Sequence, residues 1–301
     1  MIEKNINKNI DFIGNAKIFI LISCFIIISG ILSLIIYGGP KLSIDFTGGT
    51  VVRLEFSNHI EVSEIRSKLQ STDLKKSEIT QIIEIGSAKS EFRIKTNINQ
   101  KTDYIHGIIK DSLKEYNPII RKIERVGPKI GNELQTQAVY AISLALVMLM
   151  IYIGFRFDRF YALGSVVAII HDVLFTLGIF SILRLEIDLS IIAAFLTIVG
   201  YSLNDTIVIF DRFRENGQKD LKLSMKEIAN LSLNQTLSRT VITSLTTLLV
   251  VIVLYYIGGE VIKYFAFALI IGVLIGTYSS IFVASPFMLY LKSKVKIEEE
   301  E

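Results

Sequence analysis

At least six runs of about 20 predominantly apolar residues divide this 301-residue chain, each long enough to cross a hydrocarbon core of roughly 30 Å as a helix. Hydrophobic residues make up 51% of the sequence and the mean hydropathy is +0.50, both too high for a soluble chain of this length. The pattern places the chain in a membrane and excludes a soluble enzyme. Its 32 basic and 29 acidic residues nearly cancel, and the small basic excess lies beside the apolar runs, which argues against a nucleic-acid partner. Cys24 is the one cysteine and lies inside the first apolar run, so no intramolecular disulfide forms.

The expected spans are Ile18 to Tyr37, Ala138 to Phe155, Phe160 to Leu183, Ile187 to Phe210, Thr240 to Ile257 and Ile262 to Leu291, the last including some turns outside the membrane. The first follows Lys4, Lys8 and Lys17 and so imitates a signal peptide. Its length, and its end in Tyr37-Gly38-Gly39-Pro40 without a small-x-small cleavage site, mark an uncleaved signal anchor instead. Basic residues in the short loops set the orientation. With the N-terminus inside, fourteen Lys and Arg fall on the cytoplasmic side, and only Arg184 and Lys263 fall in the opposite short loops. Residues 1–17 and the charged tail 292–301 are then cytoplasmic, 18–37 is the first span, 38–137 is an outer, periplasmic domain with its linkers, and 138–291 holds the other five spans.

Within the outer segment the periodicity shifts from continuous apolar runs to short alternating ones. Strands are expected at Thr50 to Phe56, Ile79 to Ile85, Phe92 to Thr96 and Ile119 to Val126, and helices at Val62 to Leu69 and Asp103 to Tyr116. Gly86-Ser87-Ala88-Lys89-Ser90 separates the two middle strands. The order β-α-β-β-α-β is that of a ferredoxin-like, split βαβ domain. The fold class is therefore a six-span α-helical membrane protein with one α+β ferredoxin-like domain. His59 and His106 are isolated in sequence and read as solvated surface, and no His/Cys spacing predicts a metal or cofactor site.

Four polar positions interrupt the spans: His171 and Asp172 in the third, Asn204 and Asp205 in the fourth. An aspartate near a helix centre costs about 2.5–3.5 kcal/mol on the insertion scale, so both acids must face protein or water. Two roles fit, interhelical hydrogen bonding or a proton relay, and Asn or Ser would serve the first without the cost of an ionisable group. Arg239, at the start of the fifth span, is the natural counter-charge for Asp205. It is equally suited to be an ordinary anchor at the membrane surface. Gly272 and Gly276 form a G-x-x-x-G in the last span, followed by Thr277, Ser279 and Ser280, which marks a close helix contact with this chain or another. No G-x-x-x-x-G-K-[ST] is present, so the sequence predicts no nucleotide-hydrolysing enzyme, and any work draws on an ion gradient or a partner.

Several motifs in fixed order resemble those of the SecF branch of the SecD/SecF family of protein-export membrane subunits, within the resistance-nodulation-division superfamily. They are Asp45-Phe46-Thr47-Gly48-Gly49 at the entrance to the outer domain, Val126-Gly127-Pro128 with Gly131 and Glu133-Leu134 at its exit, His171-Asp172, Gly200 to Asn216, Leu237-Ser238-Arg239-Thr240, and Gly276 to Ser280. The resemblance implies a subunit of the inner membrane that works with SecD, the SecYEG channel and YajC. It would use the proton-motive force to promote late translocation of an unfolded preprotein. It also implies that Asp205 and Arg239, with Asn204 and Asp172, lie on the path of the protons. A half-size proton-coupled solute exporter of the same superfamily and a passive scaffold are the competing readings.

Overall fold

The computed structural model describes residues 10–82, 90–98, 100–219 and 223–300. The chain divides into a helical unit, residues 1–41 with 141–301, and a small unit, 42–140. Helix α1 (Phe12–Ile36) opens the helical unit. Asp11 caps it by accepting a hydrogen bond from Gly14 N at 2.8 Å, and that backbone bond, followed by one from Asn230, holds the Asp11 carboxyl below its usual range. At the other end Gly38 (φ +71°) and Gly39 (φ +124°) turn the chain, Gly39 N donates to Leu34 O at 2.7 Å, and Pro40 stops further helix.

The small unit starts with a single turn, α2 (Ile44–Thr47), capped by Ser43. Strand β1 (Gly49–Phe56), helix α3 (Val62–Leu69), strands β2 (Glu78–Ile82) and β3 (Ser90–Thr96), helix α4 (Thr102–Ser112) and strand β4 (Ile119–Val126) follow. The sheet order is β2-β3-β1-β4 with every pair antiparallel, which is the split βαβ topology expected from the sequence. Its core joins Val52, Leu54 and Phe56 of β1 to Phe92 and Ile94 of β3, and α3 and α4 cover it with Ile65, Leu69, Ile105 and Ile109. The expected Ile79 to Ile85 strand is seen through Ile82, and its remainder and the Gly86 to Lys89 connection lie outside the described residues. The helix expected to reach Tyr116 gives way to a 3-10 turn at Lys114–Tyr116, ended by Asn117 in the left-handed region. His59 and His106 are both exposed.

Entrance and exit motifs of the small unit form one joint. Gly48 (φ +70°) lies so close to the start of the next helix, α5 (Pro128–Arg156), that a Cβ there would stand 2.9 Å from Pro128 Cα. A Cβ on Gly131 would stand 2.8 Å from Phe46 O, and one on Gly49 (φ +133°) 2.7 Å from Thr96 O. Asp45 sits in the first turn of α2 beside this joint. Gly127 has open space around it, and nothing in the structure requires glycine there.

The helical unit continues with α6 (Arg159–Ile182), α7 (Leu189–Gln218), α8 (Met225–Ile257), α9 (Glu260–Ser279), a π-helical turn at Ser280–Ala284, and α10 (Ser285–Glu300). Six segments are long and apolar enough to span a membrane, the last being α9 to α10 taken together. The helices outrun their apolar windows because polar sequence extends them: Pro128 starts α5, and a Ser224/Glu227 capping box starts α8 well before Thr240. The last span is continuous helix through the π-helical turn.

Glycines set the helix contacts. A Cβ on Gly30 of α1 would stand 2.3 Å from Gly178 Cα of α6. The G-x-x-x-G of α9 packs on α7 of the same chain, where a Cβ on Gly272 would stand 2.1 Å from Ile198 Cγ1 and one on Gly276 3.1 Å from Ser202 Cβ. The two ends of the unit are tied separately. At one, Ile187 N donates to Lys41 O at 2.8 Å and the Arg184 guanidinium lies 4.1 Å from the Tyr37 ring centroid. At the other, Asn230 and Asn234 of α8 hydrogen-bond residues 10, 11 and 13, and Arg212 and Asn216 of α7 reach Gln235.

Two outcomes test this packing. Gly48→Ala imposes a left-handed backbone and a clash, at a cost of about 1–3 kcal/mol, whereas Gly127→Ala is nearly neutral. Protease resistance of residues 42–140 in the full chain should therefore fail at a temperature lower by about 4–8 °C per kcal/mol in the first variant only. Gly272→Ala should destabilise the helical unit. Combining it with Ile198→Ala should recover about 1 kcal/mol or more against the sum of the single variants, as expected for residues in direct contact.

Candidate functional site

Helices α6, α7, α8 and α9 converge on a buried polar cluster that continuous apolar sequence on either side keeps from water. Asp172 is fully buried on α6. Its Oδ1 lies 2.9 Å from His171 Nδ1, and its Oδ2 accepts hydrogen bonds from Ser202 Oγ of α7 at 2.5 Å and Ser279 Oγ of α9 at 2.8 Å. Asp205 is buried on α7 but held differently. Among the described residues only Ser244 Oγ of α8 and Thr277 Oγ1 of α9 come within hydrogen-bonding distance of its Oδ2, each at 3.5 Å, while those two hydroxyls lie 2.5 Å from one another.

Magnitudes separate the two acids. Interhelical hydrogen bonds in membranes contribute about 0.6–1.7 kcal/mol each, so the two short ones from Ser202 and Ser279, with a third bond from His171 on the same helix, approach the insertion cost of about 2.5–3.5 kcal/mol for an aspartate, and two contacts at the distance limit do not. Asp172 is fixed in place by its partners. Asp205 is loosely held, beside two hydroxyls with closer partners: Thr277 Oγ1 donates to Val273 O at 2.9 Å and lies 2.5 Å from Ser244 Oγ.

A second tier of hydroxyls locks the helices that carry these groups. Thr206 Oγ1 and Ser280 Oγ lie 2.8 Å apart, Ser280 Oγ also donates to Gly276 O at 2.9 Å, and Ser285 Oγ donates to Ser280 O at 2.9 Å across the π-helical turn. The ring of His171 stacks on Tyr278 with centroids 6.1 Å apart, and its Nε2 has no hydrogen-bond partner among the described residues. No group of three His, Cys, Asp or Glu side chains comes together to hold a metal among those residues.

The sequence-selected residues do not all meet. Asn204 is exposed, because adjacent positions on a helix point about 100° apart and Asp205 takes the inward direction. Arg239 is exposed on α8 and forms no ion pair with Asp205, although its charge is near enough to act on the acid. Ser244 is the α8 residue level with the acid, which leaves Arg239 about 7.5 Å further along the axis toward the start of the helix. Gly272 and Gly276 lie in the α7/α9 contact that sets the depth of the cluster. Sequence reasoning missed Ser202, Ser244, Thr277 and Ser279 as partners of the acids. For Thr277 and Ser279 the signal is their place just after the G-x-x-x-G, which by itself marks only small size.

Known proteins match this chain over nearly its whole length. A family described as protein export membrane protein SecD/SecF, C-terminal, matches residues 108–294, and the SecD/SecF GG motif matches residues 38–58. The protein translocase subunit SecF of Thermodesulfovibrio yellowstonii is 42% identical over 289 residues, covering 94% of this chain and 95% of that one. The subunit of the same name from Haemophilus influenzae is 43% identical over 268 residues, covering 88% and 81%. Among solved structures, SecDF from Thermus thermophilus, a translocon-associated membrane protein, superposes with a TM-score of 0.86 at 36% identity over 96% of this chain. A SecDF in a super-membrane-facing form gives 0.70 at 38% over 97%. This chain spans 39% and 40% of those two SecDF chains. With both its membrane helices and its entrance motif accounted for in this way, the chain belongs to the SecD/SecF family of protein-export membrane proteins, in the SecF branch of translocase subunits.

Proposed function

We propose that this translocase subunit carries protons through Asp205 and uses their flow to promote late translocation of an unfolded preprotein at the SecYEG channel, beside a SecD partner and YajC. The observation that carries the reading is the contrast between the two buried acids. A carrier must exchange its proton and its partners, and of the two only Asp205 is held by contacts long enough to trade. Asp172 serves as the fixed post against which α6, α7 and α9 are positioned.

A SecD partner fits the exposed faces as well. Only 11% of the most apolar stretches of α5 and α8 is buried within the chain, against 50% for α6, α7 and the last span, so α5 and α8 are free to pack on a second membrane protein. Asn204 and Arg239 are each exposed, which leaves both open to a partner that supplies the remaining proton-path residues. The arrangement of basic residues favours cytoplasmic termini and a periplasmic small unit in a multi-pass protein of the inner membrane.

A membrane potential of 100 mV supplies roughly 2.3 kcal/mol for each charge that crosses, enough to shift a two-state equilibrium about fiftyfold. That coupling needs a group that titrates. Asp205→Asn keeps the shape and removes the titration. The variant should insert and assemble normally, while export in vesicles falls to the level measured with the gradient collapsed. Full gradient-dependent export by Asp205→Asn would disprove the carrier role.

Sidedness has its own test. With Cys24 replaced, Ser57→Cys in the small unit should react with a membrane-impermeant thiol reagent in intact cells. Leu223→Cys should react only after permeabilisation. Leu223 is the better site than the neighbouring Ser224, whose side chain caps α8. Labelling of Leu223→Cys in intact cells would reverse the orientation.

A further inference from the structure

Between α1 and α9, with α6 as its floor, runs an apolar groove of about 460 Å³. Ile22 and Ile26 of α1, Phe175 and Ile179 of α6, and Ile271 and Tyr278 of α9 line it. One end is closed by aromatic side chains: Phe19 stacks on Phe282 with centroids 4.0 Å apart, and Tyr278 packs on both rings. Alongside the groove the α1 and α6 backbones meet at Gly30 and Gly178, while α1 and α9 touch at its aromatic end, through Phe19 and Tyr278.

We infer that this groove holds one acyl chain of a bilayer phospholipid. Every lining residue belongs to a segment apolar enough to span the membrane, so the groove opens at the depth of lipid tails rather than to water. The two hydroxyls on its wall are already used, Ser23 Oγ donating to Ile20 O at 3.1 Å and Tyr278 OH donating to Phe19 O, so neither asks for a polar ligand. A transmembrane helix is about 10–12 Å across and can lie over a groove of this volume without entering it. A single narrow, flexible hydrocarbon chain can enter, and the volume falls in the range of small-molecule sites, about 300–1,000 Å³. The occupant would also touch the proton-site architecture, because Tyr278 forms groove wall on one side and stacks on His171 on the other.

The chain contains no tryptophan, so one introduced tryptophan reports on its own surroundings. Ile271→Trp places it in the groove, and Phe25→Trp places it on the exposed face of α1. Each full-length variant is reconstituted in phosphatidylcholine vesicles, with or without bromine at mid-chain, alone and with its membrane partner. Spectra of the parent complex are subtracted where the partner contributes. Bromine should reduce the Ile271→Trp emission at least twofold in both settings. Adding Ile26→Phe, or independently Ile179→Phe, to fill the groove should restore at least half of the lost signal while leaving quenching of Phe25→Trp unchanged. Emission from Ile271→Trp that ignores bromine in the complex would mean that protein covers the groove and would overturn the inference. So would quenching that neither filling substitution alters, which would mean that lipid merely surrounds the helix.

Discussion

The close approach of α7 and α9 is the contact on which the rest of the helical unit depends. Gly276 lets Ser202 come within van der Waals range of the α9 backbone, and only at that separation do Ser202 and Ser279, from different helices, reach the same oxygen of Asp172. A Cβ at position 276 would stand 3.1 Å from Ser202 Cβ, so even alanine would push Ser202 back by a few tenths of an ångström and a bulkier side chain by more, lengthening the bonds to Asp172. Asp172 would then be left buried with fewer partners, in a medium where each lost hydrogen bond is not replaced by water. Small side chains and a costly polar one are thus two halves of one arrangement.

Much of this was legible in the sequence because its physics is local. A membrane leaves only helices for the spans, and the switch to alternating apolar positions marks the small unit, where α3 and β4 have the boundaries that periodicity gives them. The cost of an intramembrane acid singled out Asp172 and Asp205 without any structure. What remained hidden depends on rotation about helix axes and on pairing between distant segments. Asn204 and Asp205 are neighbours in sequence yet face opposite environments, and Arg239, further along α8, acts on the acid as a nearby charge without forming an ion pair. The joint between Gly48 and Pro128 brings together two motifs 80 positions apart, which periodicity cannot register.

Helix ends were misjudged for a different reason. Hydropathy reports where a chain is comfortable in lipid, whereas capping and backbone hydrogen bonding decide where a helix stops. Ser224 and Glu227 satisfy the first amides of α8, so the helix begins in polar sequence and carries Asn230 and Asn234 to the N-terminal segment and Gln235 to α7. This polar extension fixes the start of α1 and the end of α7 to the helix that also carries Arg239 and Ser244. A rigid-body movement of α8 would therefore displace a contact of Asp205 and both of these helix ends together.

The π-helical turn at Ser280–Ala284 explains how one helix can serve two neighbours at once. In a regular α-helix, Ser279 and Ser280 project about 100° apart, and the widened turn that follows shifts the register of everything beyond it. Ser279 serves Asp172 on α6 while Ser280 serves Thr206 on α7, and at the end of the turn Ala284 still packs against Gly164 of α6. Ser285 supplies a hydrogen bond to Ser280 O, compensating a carbonyl that the wider turn leaves without its regular helical geometry. Without the extra residue, the face of α10 that carries Met288 would rotate away from Gly164, and the end of the bundle would have to repack for the two serines to keep their partners.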